Sequence, residues 1–86
     1  MDNETKTTAT ITVGRSVLTC TKAKRYTHAG KERIWFNFSG KRGAAKHGVL
    51  YSYGDMTVNA LHGRSSSRVG FITRENALAL AEMMGV

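Results

Sequence analysis

The sequence of 86 residues contains no proline, only one cysteine and few acidic residues, and it has no long apolar run. Its one cysteine, Cys20, lacks both a disulfide partner and a second ligand at metal-binding spacing, so we predict no metal site and a reducing, cytoplasmic location. No apolar run approaches the roughly 18 residues needed to cross a bilayer. At the start, Asp2 and Glu4 stand where a signal peptide would be basic. We expect a soluble protein with no membrane partner.

The scarcity of acidic residues also argues against an enzyme. The few carboxylates are scattered along the sequence, the three histidines lie far apart, and no serine sits in a nucleophile motif. A chain this short forms one small core and leaves little room for an enclosed active site. We therefore predict no catalysis and no cofactor, with a flexible N-terminal segment over 1–7 and a single domain over 8–86.

The apolar pattern predicts an α+β fold. Apolar and polar residues alternate with period two from Ala9 to Val13 and again from Arg33 to Phe38, which is typical of half-buried strands. Near the C-terminus, apolar residues recur at helical spacing after Thr73, a good N-cap. We predict an antiparallel sheet of four to six strands with one C-terminal amphipathic helix packed on it. The predicted strands cover 9–13, 16–20, 33–38, 49–53, 56–61 and 69–72, and a surface loop covers 39–48. The second strand is open to an extension as far as residue 26, and a short irregular piece is the alternative for 56–61.

The positive charge is concentrated in the middle of the chain. Thirteen lysines and arginines against six acidic residues give a net charge of +7. Residues 15–46 alone hold nine basic residues against one acid, Glu32, so this segment has a net charge of +8 and accounts for the whole excess. Such a balance favours nucleic acid or an acidic protein surface as the partner.

Within that segment, one hairpin and the following loop are the predicted binding site. Lys22, Lys24 and Tyr26 alternate along one strand and Arg33, Trp35 and Asn37 along the next, so two strands would present one basic and aromatic surface. In the glycine-rich loop over 39–48, no Gly-Lys pair is followed by serine or threonine, which excludes a P-loop. The alternative is that these charges only keep an edge strand soluble. The predicted binding residues are Lys22, Lys24, Arg25, Tyr26, Lys31, Arg33, Trp35, Lys41, Arg42 and Lys46.

These features predict a small basic nucleic-acid-binding protein without catalytic activity. An alternative is a phage- or mobile-element-type inhibitor, of the anti-CRISPR or anti-restriction class, that binds a protein of a nucleic-acid-processing complex through the same surface. A structural accessory protein attached to RNA by its charge is a third option. Homodimerisation through the C-terminal helix, where Met83 and Met84 are adaptable contact residues, remains open.

Overall fold

Six strands and one helix make up the part of the chain that the computed structural model describes, which is residues 8–39, 46–62 and 64–86. All neighbouring strands are antiparallel and follow one another in chain order across a single sheet. The predicted α+β class is therefore confirmed, while the predicted flexible segment 1–7 lies outside the described residues. The elements are β1 (Ala9–Val13), β2 (Ser16–His28), β3 (Lys31–Ser39), β4 (Lys46–Leu50), β5 (Met56–His62), β6 (Ser65–Ile72) and α1 (Arg74–Met83).

The sharpest chain reversals lie where the sequence predicts them. Between β2 and β3, Ala29 and Gly30 both have positive φ, at 55° and 77°. Two positive φ values in a two-residue loop match the type I′ turn, whose twist suits paired strands. Gly14 and Gly54, which lie between predicted strands, likewise have positive φ, at 62° and 86°.

Three strands begin earlier than predicted: β3 by two residues, and β4 and β6 by three or more. The predicted loop over 39–48 is too long at both ends, because β3 continues to Ser39 and β4 begins at Lys46. β4 also ends at Leu50, earlier than the predicted strand end at residue 53. β6 begins at Ser65 instead of residue 69. The starts of β4 and β6 contain serine, glycine, arginine and lysine and show no apolar alternation. Pairing with the neighbouring strand therefore decides these boundaries. Residues 40–45, which all belong to the predicted loop, lie outside the described residues.

The core lies on one face of the sheet, which we call the inner face. The predicted alternation in β3 is confirmed, since Ile34, Phe36 and Phe38 are all buried. The rings of Phe36 and Phe38 stack at 6.1 Å between centroids. Buried residues of all six strands and of α1 belong to this cluster: Ala9, Val13, Leu18, Cys20, Ile34, Phe36, Phe38, Leu50, Met56, Val58, Ile72, Ala77, Leu80 and Ala81.

A bulge in β2 reverses which side chains face the core. Cys20 pairs with Phe38, but the next paired residue is Lys22, which lies opposite Asn37, so Thr21 is the extra residue. Before the bulge the even-numbered residues Leu18 and Cys20 are buried; after it, even-numbered residues face outward. The bulge therefore turns the basic part of β2 away from the core.

The sheet curls until its first and last strands approach each other without pairing. A methyl group built on Gly70 of β6 would lie 3.0 Å from Val13 Cγ1, and one built on Gly14 would lie 3.1 Å from the carbonyl oxygen of Val69. Both distances are below ordinary van der Waals contact, so the close approach depends on these two glycines.

Two hydrogen bonds fix the start of the helix, one from its N-cap and one from the turn before β5. The hydroxyl of Thr73 accepts a hydrogen bond from the backbone N–H of Asn76 at 3.2 Å, which confirms the predicted N-cap. The backbone N–H of Arg74 donates to Asp55 Oδ1 at 3.0 Å, linking the helix to the turn before β5. No helix in the described part of the chain is long and apolar enough to span a membrane.

Candidate nucleic-acid interface

The side of the sheet opposite the core, which we call the outer face, carries most of the predicted binding residues. Residues directly opposite each other on paired strands point to the same side, so the strand register fixes the rows of this face. One row crosses the sheet from β2 to β6 and a second row lies next to it. The first row is Lys22, Asn37, His47, Asn59 and Arg68, and the second is Lys24, Trp35 and Val49 followed by Thr57 and Phe71.

A third row extends the outer face toward the tip of the β2–β3 hairpin. Tyr26 pairs with Arg33, and His28 pairs with Lys31. The guanidinium carbon of Arg33 lies 4.8 Å from the centre of the Tyr51 ring, so the residue after β4 joins this row. Two neighbouring strands therefore share one basic and aromatic surface, as the sequence analysis predicts, and the surface continues onto β4, β5 and β6.

The outer face is strongly positive. Of the four acidic residues that the structure describes, Asp55 alone borders the outer face. The other three lie elsewhere, so most cations of this face have no acidic residue near them. Asp55 is itself engaged by the backbone N–H of Arg74. Glu32 occupies the opposite side of the hairpin, and Glu75 and Glu82 lie on the helix. Among the residues that the structure describes, five cations lie on the outer face: Lys22, Lys24, Lys31, Arg33 and Arg68.

Aromatic side chains are distributed between these cations. Tyr51 is 49% exposed and Phe71 is 57% exposed, whereas Tyr26 and Trp35 are half-buried. The guanidinium carbon of Arg68 lies 5.0 Å from the centre of the Phe71 ring, a second cation–π contact on this face. The face thus offers flat rings next to positive charge across several strands.

Some predicted binding residues lie elsewhere. Arg25 lies on the inner side of the hairpin, where its Nη1 is 3.3 Å from Glu32 Oε1. The side chain of Lys46 is only 9% exposed and belongs to the inner face of β4, next to the core. Lys41 and Arg42 lie outside the described residues. The structure therefore groups Lys22, Lys24, Tyr26, Lys31, Arg33 and Trp35, and separates Arg25 and Lys46 from them.

Several residues of the outer face were not among the predicted binding residues. His47, Asn59 and Arg68 complete the first row, and Phe71 completes the second. A second bulge between Val58 and Asn59 in the β5–β6 register places Arg68 and Phe71, three positions apart, on the same side. No periodicity in the sequence reveals this pairing.

Side-chain hydrogen bonds stabilise the bulge that orients the face. Asn37 Nδ2 donates to Thr21 Oγ1 at 3.0 Å, and the Thr21 hydroxyl lies 3.4 Å from the carbonyl oxygen of Asn37. On the inner side, Cys20 Sγ donates to the carbonyl oxygen of Lys22 at 3.5 Å. Burial raises the pKa of the Cys20 thiol above its ordinary value, which two backbone hydrogen bonds only partly offset. This cysteine is therefore part of the core.

Comparison of the chain with known protein families, with curated proteins and with solved structures found no match. Within residues 8–39, 46–62 and 64–86, no three histidine, cysteine, aspartate or glutamate side chains lie close enough together to hold a metal ion. The outer face is therefore interpreted from its own chemistry.

Proposed function

We propose that the protein binds single-stranded nucleic acid on its outer face. The observation that carries this proposal is the strand register, which interleaves aromatic rings with cations on one side of the sheet. Single-strand binders combine a positive surface for the phosphates with aromatic side chains on which bases stack. The outer face has both components within two adjacent rows.

The aromatic rings favour a single strand over a duplex. Bases in a duplex are stacked on one another, so only unpaired bases can lie flat on side chains such as Trp35 and Phe71. The ring of Trp35 is half-buried, so it has less conformational freedom to lose on stacking than a fully exposed ring. Within the described residues, none of the strands or turns of the outer face forms a helix that could enter a major groove.

The proposal includes no catalytic step. In the described part of the chain, Glu32 pairs with Arg25 on the inner side of the hairpin, which leaves Asp55 without a second carboxylate for general acid–base catalysis on the outer face. We further propose that α1 packs on the inner face, leaving the outer face for the partner, and that the protein acts in the cytoplasm. The three buried residues of α1, Ala77, Leu80 and Ala81, support the first of these points.

Salt dependence tests the electrostatic part of the proposal. If all five outer-face cations each neutralise one phosphate of a single strand, log K should fall with log salt at a slope of about −3.5. The triple variant Lys22→Gln, Lys24→Gln, Arg68→Gln should reduce this slope to about −1.4. Binding of a labelled deoxythymidine oligomer, followed by fluorescence anisotropy over a range of salt concentrations, measures both slopes.

A matched control separates local charge from net charge. The variant Arg15→Gln, Arg25→Gln, Arg64→Gln removes the same number of positive charges from two turns and from the inner side of the hairpin. We expect it to retain most of the affinity and of the slope. Equal losses in the two triple variants, or binding that does not respond to salt, would show that the outer face is not the binding surface.

Trp35 provides a built-in reporter for stacking, because it is the only tryptophan in the sequence. A base stacked on it should quench its fluorescence, and Trp35→Ala should cost about 1–3 kcal/mol of binding free energy, whereas Trp35→Phe should cost less. An oligomer that binds without changing Trp35 emission would place the strand elsewhere.

The alternative, an inhibitor that binds a protein, uses the same face. Its support is that Trp35, Val49 and Phe71 form a partly apolar stretch across the second row, which a protein interface can bury as an anchor. Capture from a lysate with and without nuclease distinguishes the two functions. Retention of one stoichiometric protein after nuclease treatment supports the inhibitor, and loss of every partner supports nucleic-acid binding.

A further inference from the structure

A notch lies at the hairpin end of the outer face. Lys31 and Arg33 of β3 form one wall, and the three residues after β4, Tyr51, Ser52 and Tyr53, form the other. The notch has a volume of about 260 Å³ and is open to solvent on one side. Tyr53 is 79% exposed, so its ring contributes little to the fold.

The aromatic wall of the notch is held in place by the helix. Arg74 Nη1 donates to the carbonyl oxygen of Tyr51 at 2.8 Å and to that of Gly54 at 3.4 Å. On the other side, the hydroxyl of Ser52 donates to the carbonyl oxygen of Glu32 at 3.5 Å. These bonds fix the connection on both sides of Tyr53, while its side chain projects into solvent. A surface ring on a pinned backbone is preorganised for a ligand.

The cationic wall is not neutralised within the described part of the chain. Neither Lys31 nor Arg33 forms an ion pair there, in contrast to Arg25, which pairs with Glu32 on the other side of the same hairpin. Arg33 instead lies over the Tyr51 ring. A guanidinium stacked on a ring keeps its N–H groups directed outward in its own plane, which is the geometry that binds a phosphate through two hydrogen bonds.

We infer that the notch binds one phosphate-bearing nucleotide, with the phosphate between Lys31 and Arg33 and the base on the ring of Tyr53. The pairing of two cations with an exposed aromatic ring matches the two parts of a nucleoside monophosphate, and neither part alone uses both walls. The inference rests on the proposed function in one respect, namely that the nucleotide is the terminal unit of a strand lying on the outer face. A free mononucleotide presents the same chemistry.

Titration with a mononucleotide tests the notch independently of strand binding. Thymidine monophosphate is added to the isotope-labelled full chain, and backbone NMR shifts are followed, with thymidine and inorganic phosphate as separate probes. We expect saturable shifts at Lys31, Arg33, Ser52 and Tyr53 with the monophosphate, and weaker shifts with either probe. Lys31→Gln should raise the Kd for the monophosphate about tenfold or more, because it removes a charge-assisted contact. Absence of saturable shifts at these residues overturns the inference.

Two further variants distinguish binding in the notch from a nonspecific effect of charge or of folding. Arg15→Gln removes one positive charge from the turn between β1 and β2, at the other end of β2 from the notch, and should leave the monophosphate Kd within about twofold. Tyr53→Ala removes a ring that is almost fully exposed, so the variant should fold normally while losing the base-dependent part of the affinity. An equal loss in Arg15→Gln and Lys31→Gln would assign binding to net charge and refute the notch.

Oligomers with and without a terminal phosphate distinguish the two sources of the nucleotide. If a strand end occupies the notch, the phosphorylated oligomer binds more tightly to the natural chain, and this advantage disappears in Lys31→Gln but persists in Arg15→Gln. Monophosphate binding with no oligomer binding would refute the proposed function but retain the notch as a site for free nucleotides. Oligomer binding that is indifferent to Lys31→Gln and Tyr53→Ala would retain the proposed function and refute the notch.

Discussion

The close approach of β1 and β6 makes Gly70 the most informative position for testing the curled sheet. Gly70 has no positive φ, so an alanine is compatible with its backbone and the effect of Gly70→Ala is decided by space. The new methyl group would lie 3.0 Å from Val13 Cγ1 and 3.2 Å from the backbone nitrogen of Gly14. Val13 is fully buried and β-branched, so its side chain has little freedom to move aside.

Two opposing terms set the size of the effect. Overpacking of this kind costs about 1–3 kcal/mol, whereas replacing glycine by alanine at an unstrained position gains about 0.4–1 kcal/mol from the unfolded state. We expect a net loss of about 1.5 kcal/mol in the free energy of unfolding, which corresponds to a fall in Tm of about 6–12 °C for a domain of this size.

Urea denaturation of Gly70→Ala, Val13→Ala and the double variant measures the contact as a double-mutant cycle. Removing Val13 Cγ1 makes room for the new methyl group, so Gly70→Ala should cost about 1 kcal/mol less in the Val13→Ala background. The urea m value should stay unchanged, because the surface exposed on unfolding is nearly the same. Additive losses, or a Gly70→Ala variant at least as stable as the natural chain, would refute the contact between the two edge strands.

Two further predictions concern the helix cap and the buried thiol. Thr73→Ala removes the hydroxyl that accepts from the N–H of Asn76, so it should lower the free energy of unfolding by about 1 kcal/mol. Thr73→Ser keeps a hydroxyl and should retain most of that stability. Equal thermal melts for the two variants and the natural chain would contradict the cap. Because burial raises the pKa of Cys20, its thiol should stay protonated in the folded protein at neutral pH. It should therefore react with a thiol reagent far more slowly in the folded protein than in urea. Equal reaction rates in the two conditions would contradict its burial.

Much of the fold follows from local patterns. The alternation around Phe36 places three core residues on one side of β3, and the glycines at 14, 30 and 54 allow the positive φ values that the turns require. The helix start follows from Thr73, whose side chain satisfies a donor that would otherwise lack a partner. The ends of β4 and the start of β6 do not follow, because Lys46, Gly48 and Ser65 carry no apolar signal.

The candidate site, like the fold, could be predicted from the sequence only in part. The basic and aromatic alternation in β2 and β3 predicted that Lys24 and Trp35 share a surface, and the register places them directly opposite each other. Arg25 could be separated from them by period two alone, but Lys46 could not, because its inward direction depends on pairing with β5. Tyr53 falls at the end of the predicted strand over 49–53, whereas in the structure β4 ends at Leu50 and Tyr53 lies in the connection after it.

The sequence by itself determined the charge, the α+β class and the hairpin that carries most of the predicted site, since these depend on composition, period-two alternation and turn residues that act locally. Only the tertiary structure decided which side of the sheet each residue occupies beyond the bulge at Thr21, and that Arg68 and Phe71 join residues nearly fifty positions earlier in the chain. A bulge inserts one unpaired residue and reverses the direction of every later side chain, and its position is set by long-range pairing between strands.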